Sequence, residues 1–225
     1  MEIRRKTTTT QVVDILRARI FSGALQEGTQ LRQEHLATEL GVSRVPIREA
    51  LHQLEAEGLV TMHTHRGALV SSLSLDELTE VYEIRARLEP WLLELSLPHI
   101  DDADFEEAEL LLTKLADEKN NQHWTALNWD FHAAIYRQAR RPHTVELLRK
   151  LYLNAYRHFP PSIRFAGGHA HMHAEHRTLL DLCRQRDITR AKAHLEDHIL
   201  IGSRNLIARL RAERAEADRS FAASA

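Results

Sequence analysis

The chain has 225 residues, enough for two domains with their own cores, and a formal charge of −2, so it lacks the global basic excess of a protein that coats nucleic acid unselectively. Its one cysteine, Cys183, excludes an internal disulfide framework and reads as a small buried hydrophobe in a helix. No apolar run approaches membrane-spanning length and residues 1–11 hold no signal-peptide core, so a cytoplasmic protein with no membrane partner is expected.

Val12, Val13, Leu16 and Ile20 recur at helical spacing and predict a first amphipathic helix, after which Gly23, Gly28 and Leu31 mark the connection to the next. Leu36, Ala37 and Leu40 bury one face of a second helix, which Gly41 closes by taking the left-handed conformation. Ser43 is expected to cap a third helix by accepting a backbone N–H, with Pro46 in its first turn, where a missing donor costs little. Ile47, Ala50, Leu51 and Leu54 form the inward stripe of that helix. Arg44 and Arg48, one turn apart, share the opposite face, where a guanidinium can hold a phosphate or pair bidentately with guanine O6 and N7. An ordinary helical hairpin with solvated arginines has the same local pattern, so the following residues decide. Residues 59–63 read as a strand, 64–67 as a turn and 68–70 as a second strand, and a short hairpin behind such a helix is a wing.

Leu36-Ala37, Leu40-Gly41-Val42-Ser43-Arg44, Pro46-Ile47-Arg48-Glu49-Ala50-Leu51, Glu57-Gly58-Leu59 and Arg66-Gly67 occur in this order. With them, residues 11–75 resemble the winged-helix domain of the GntR superfamily. The resemblance implies that Arg44 and Arg48 read the major groove with Ser43 and Val45 beside them. It further implies that Arg32 or Gln33 touches the DNA backbone from the preceding helix, and that His65, Arg66 and Gly67 form a minor-groove wing.

Beyond a polar link at 71–75, Ser74 and Glu77 make a capping-box start, and Leu78, Val81, Ile84, Leu88, Trp91, Leu92 and Leu95 continue at helical spacing. Further amphipathic stretches run near 103–119, 124–139, 144–158, 174–185 and 188–210, punctuated by Pro98, Pro142, Pro160-Pro161 and Gly167-Gly168. No strand is expected after the wing, and the segment after Leu210 reads as a biased Ala/Glu/Arg tail. The fold class is therefore mainly α: a winged helix-turn-helix over 1–75, then an all-helical bundle of about six helices over 76–225.

Histidines give the bundle its chemistry. Asn128 and His132 lie four residues apart on one helix, while His176 and His198 fall on two later ones. Three imidazoles and an amide oxygen gathered in a bundle core suit a borderline divalent ion such as zinc or nickel. Among 15 histidines, scattered buried or surface imidazoles are the alternative.

The spacing of Asn128, His132, Glu175-His176, Asp187 and His198 is similar to the FCD effector domain of FadR-type regulators, which the resemblance extends over residues 76–215. It implies a metal site of Asn128, His132, His176 and His198, selecting His198 over nearby His194, with Asn128 standing where Asp is commoner. Arg85 and Glu89 also resemble the family's first effector-domain helix, either as an i, i+4 ion pair or with Arg85 anchoring a carboxylate effector. Tyr136, one turn past His132, lines the same cavity or is an ordinary buried tyrosine. The segment 167–173 reads as a histidine-bearing loop at the edge of the pocket. The expected function is a homodimeric regulator that binds a pseudo-palindromic double-stranded operator and responds to a small organic acid, with repression as the sign. A metal-dependent enzyme using the histidines, or a DNA-binding protein whose bundle only dimerises, are the competing readings.

Overall fold

The computed structural model describes residues 7–63, 67–118, 121–156 and 168–223, which divide into one unit spanning Met1–Ser72 and another spanning Leu73–Ala225. In the first unit, helix α1 (Thr8–Phe21) is capped by the Thr7 hydroxyl, which accepts from the Thr10 amide at 3.1 Å, and buries Val12, Val13, Leu16 and Ile20. Strand β1 (Gln30–Leu31) leads into α2 (Gln33–Leu40), and Gly41 ends that helix at φ 66°. Helix α3 (Arg44–Ala56) follows, then β2 (Val60–His63) and β3 (Gly67–Val70).

Ser43 occupies the N-cap position of α3 with the extended backbone expected there, but its side chain makes no capping hydrogen bond. The expected cap fails for a physical reason: the third helical position is Pro46, which has no N–H to give. Strand β1 also went unanticipated. The sheet is antiparallel in the order β1-β3-β2, with Gln30 opposite Leu69 and Val60 opposite Val70. At two residues, β1 is too short to carry an alternation signal and exists because β3 offers it a partner. Gly67 opens β3 at φ 78°, and a Cβ there would lie 3.1 Å from the Leu31 carbonyl oxygen, so this position requires glycine.

The second unit opens with α4 (Leu75–Ser96), whose Ser74–Glu77 capping box is formed in both directions. A 3₁₀ turn (Leu97–His99) precedes α5 (Asp102–Asp117), which Asp101 and Asp104 cap reciprocally. Then come α6 (Asn121–Tyr136), α7 (Pro142–Tyr156), α8 (Gly168–Arg184) and α9 (Ile188–Ala223). No strand lies among the described residues after Val70.

Two helices outrun their sequence limits. The segment expected as a loop is helical from Gly168 onward, because α8 continues N-terminally the stripe of His176, Leu179, Leu180 and Cys183 that packs into the core. Helix α9 runs through the Ala/Glu/Arg tail to Ala223, since alanine, glutamate and arginine are strong helix formers.

Helix α4 packs along α9 and α7, α5 packs on α6 and α8, and their apolar faces close one core that includes Leu92, Phe131, Leu148, Leu179 and Leu195. Polar ties fix the register. Arg177 and Arg184 both donate to Glu109, tying α8 to α5. Arg186 closes the α8–α9 connection at φ 58° and donates to the carbonyls of Leu97 and Ile100 past the end of α4. Cys183 is fully buried, and burial pushes its thiol up to about 12, which leaves it an unreactive packing group.

Candidate DNA-reading surface and metal centre

The buried stripe of Ile47, Ala50, Leu51 and Leu54 turns the other face of α3 outward, so Ser43, Arg44, Val45 and Arg48 are all exposed. Val45 is 52% exposed, and an aliphatic side chain on that face can contact a thymine methyl. Arg44 Nη2 pairs with Glu34 Oε1 of α2 at 2.7 Å, a solvent-exposed bridge that restrains the guanidinium without desolvating it. Arg32 is exposed at the N-cap of α2 and donates to the Gln30 side chain at 3.2 Å, and Gln33 is half-buried in the first turn. Of the wing, Gly67 is described, whereas His65 and Arg66 lie outside the described residues.

In the second unit, the side chains of His132 (α6), His176 (α8) and His198 (α9) converge. One ligand nitrogen from each lies within 4.8 Å of the others. The rings of His132 and His176 are 5.0 Å apart, those of His176 and His198 4.9 Å, and those of His132 and His198 5.9 Å. His194 is held elsewhere, its Nε2 donating to the Glu175 carbonyl at 2.9 Å.

Burial, reinforced by the other imidazoles, depresses the pKa of His132 and His176 well below that of a solvated imidazole. Burial, followed by the charge of Arg85, lowers His198 to about 4. All three are therefore neutral at physiological pH, with lone pairs available for coordination. Two further observations fit a cation. Among the described residues, neither ring nitrogen of His176 has a hydrogen-bond partner although the residue is fully buried, and Asn128 Oδ1 is buried and equally unpartnered. Buried polar atoms left unpaired are costly, and coordination would satisfy the lone pair of the His176 ring and that of Asn128 Oδ1.

Asn128 and His132 have polar partners behind them, and His198 has a carboxylate nearby. Asn128 Nδ2 donates to Tyr152 Oη at 2.8 Å, which orients the amide. His132 Nδ1 lies 3.3 Å from Tyr136 Oη, and His198 Nδ1 lies 3.9 Å from Glu175 Oε2. Arg85 and Glu89 are both buried and paired at 2.7 Å, with the guanidinium over the rings of Tyr82 and Tyr152 at 5.1 and 5.0 Å. The arginine is thus a compensated cation, although it acts electrostatically on His132 and His198. Of the expected loop histidines, His171 is exposed on α8 and His173 is half-buried beside His176. Tyr152 carries no sequence signal of its role, because it repeats the apolar spacing of Leu148 and Ala155 and only packing reveals its hydroxyl contacts.

Residues 8–70 match the gntR family of bacterial regulatory proteins, and residues 80–200 match the FCD domain. An uncharacterized HTH-type transcriptional regulator, YdhC of Bacillus subtilis, is 30% identical over 84% of this chain and 86% of its own. The HTH-type transcriptional repressor GlaR of Escherichia coli is 31% identical over 80% of this chain and 87% of its own. A crystal structure of a GntR-family transcriptional regulator from Pseudomonas syringae superposes with a TM-score of 0.56 at 31% identity, covering 93% of this chain and 88% of that one.

Proposed function

The chain belongs to the gntR family of bacterial regulatory proteins and carries an FCD domain, and from that premise we propose a metabolite-responsive repressor whose effector is a small carboxylate bound at a metal centre of Asn128, His132, His176 and His198. That the protein is a DNA-binding transcription regulator, and not an enzyme, follows from the family. The sign is taken from GlaR, named a repressor, and the place of action is the cytoplasm, where the operator lies.

The observation that carries the effector reading is the uncompensated charge of the ligand set. His132, His176 and His198 are neutral donors and Asn128 adds an amide, while the buried carboxylate of Glu89 is committed to Arg85. Zinc or nickel bound there would bring a dication whose charge the neutral donors do not offset, and a carboxylate joining the shell neutralises it. Arg85, whose charge acts on His132 and His198, favours an anionic ligand, and Tyr136 borders the same group of side chains. On the DNA side, Arg44 and Arg48 read bases, Ser43 and Val45 flank them, Arg32 and Gln33 meet the phosphates, and the wing of His65, Arg66 and Gly67 enters the minor groove. A single α3 spans few base pairs, so the protein works as a homodimer on a pseudo-palindromic site.

Organic acids are screened by thermal shift against zinc-loaded protein, and the best ligand is titrated with and without operator. The reading expects a stabilising acid that weakens operator binding, and by linkage the same acid binds the DNA complex more weakly by the same factor. Acids that stabilise protein but leave operator affinity untouched overturn it.

A further inference from the structure

A buried chain of polar groups starts at Arg85 and ends on a metal-ligand candidate. Arg85 Nε donates to Glu89 Oε1 at 2.7 Å, and Tyr136 Oη donates to the other carboxylate oxygen, Oε2, also at 2.7 Å. The same hydroxyl is 3.3 Å from His132 Nδ1, and the two rings stack at 29° with centroids 6.1 Å apart.

Proton counting along this chain leaves one arrangement. As the anion of a buried ion pair, Glu89 accepts and does not donate. A phenol carries a single proton, and Tyr136 gives its own to Glu89. The hydroxyl can therefore offer His132 only a lone pair, so Nδ1 must be the protonated nitrogen and Nε2 the one with the lone pair. Burial alone would lower Arg85, but Glu89 and the facing tyrosines raise it overall, so the charge at the head of the chain persists.

We infer that Glu89 and Tyr136 are positioning residues which hold His132 in the Nδ1–H tautomer, presenting Nε2 as its coordinating atom in the metal-free protein. The inference rests on the metal reading above and adds to it a defined coordinating atom. It gives the second partner that metal-ligating histidines ordinarily have, here a carboxylate acting through a phenol. Among the described residues, the ring nitrogens of His176 have no hydrogen-bond partner and so no such control, and His198 faces Glu175 at 3.9 Å, beyond hydrogen-bond reach. His132 is accordingly the ligand whose coordinating atom is preset.

The test uses long-range ¹⁵N spectra of the histidine side chains in metal-free full-length protein, with the His132 signals assigned through H132Q, alongside zinc titration of each variant. Wild type should show the Nδ1–H pattern at His132. Y136F, which removes one oxygen, should mix the tautomers and weaken zinc binding by roughly 10- to 100-fold. E89Q should shift His132 toward Nε2–H, because a glutamine amide can donate to the Tyr136 oxygen and free the phenol proton for Nδ1. An Nε2–H signal in wild type, or Y136F binding zinc as tightly as wild type, overturns the inference. Wild type that takes up no zinc overturns the metal reading instead, and the two failures are distinguishable because the tautomer is read without metal. Should E89Q not fold, Y136F alone decides.

Discussion

Asn128 donates an Nδ2 hydrogen to Tyr152 Oη at 2.8 Å while its own Oδ1 is buried with no hydrogen-bond partner among the described residues. The amide is thereby sorted into a structural end and an unsatisfied end, and the unsatisfied end is a potential ligand. Replacing it by a carboxylate puts a negative oxygen beside a dication. Tyr152 can accommodate this, because its hydroxyl gives up only a long 3.3 Å bond to the Thr125 carbonyl to donate to the new oxygen. Asn128→Asp should therefore tighten zinc or nickel binding. Weaker or unchanged binding by calorimetry would remove Asn128 from the ligand set.

Acid should unfold the metal-free second unit early. His132 and His176 lie well below the ordinary imidazole value and His198 near 4, so between about pH 6.5 and 4 the unfolded chain binds protons that the native histidines refuse. Stability therefore rises with pH across that window and is lost as pH falls, by up to about 2 kcal/mol per histidine at about pH 5. Urea titrations at pH 7.5 and 5 check the sign, and saturating zinc should steepen the loss because protons compete with metal for the same nitrogens. Equal midpoints at the two pH values would contradict the neutral cluster.

The Arg85–Glu89 pair should be expensive to break from one side. Arg85→Met leaves Glu89 buried without its counter-ion, at a cost of roughly 3–5 kcal/mol. The double variant R85M/E89Q removes both charges and should recover much of that loss. A single-variant loss below about 1 kcal/mol would show that water already reaches the carboxylate.

On α3, Arg48 is exposed and Arg44 is held by Glu34 across a solvent-exposed bridge. Arg48→Ala should weaken operator binding by roughly 1–3 kcal/mol and relax the base preference at its position. Measured by competition between operator and random DNA, equal losses on both would mean that Arg48 contacts phosphate alone.

Much of the first unit was legible in the chain itself, because its information is local. Gly41 stops a helix, the stripe of Ile47, Ala50, Leu51 and Leu54 decides which face of α3 is buried, and the positions of Arg44 and Arg48 follow from the 3.6-residue period. Where local rules competed, sequence reading failed: Ser43 cannot cap toward a proline, and a two-residue β1 leaves no periodic trace. In the second unit, residue identities and spacing named the donor types, since only His and Asn at those positions can offer neutral lone pairs. Their meeting within 4.8 Å is a property of packing alone, because His132, His176 and His198 come from three helices separated by long stretches of chain. The same holds for what stands behind them. That Arg85 is compensated by Glu89, that Tyr136 spends its proton on that carboxylate, and that Tyr152 turns the Asn128 amide were decided by burial, which removes water as the alternative partner and makes each hydrogen bond a constraint on the next.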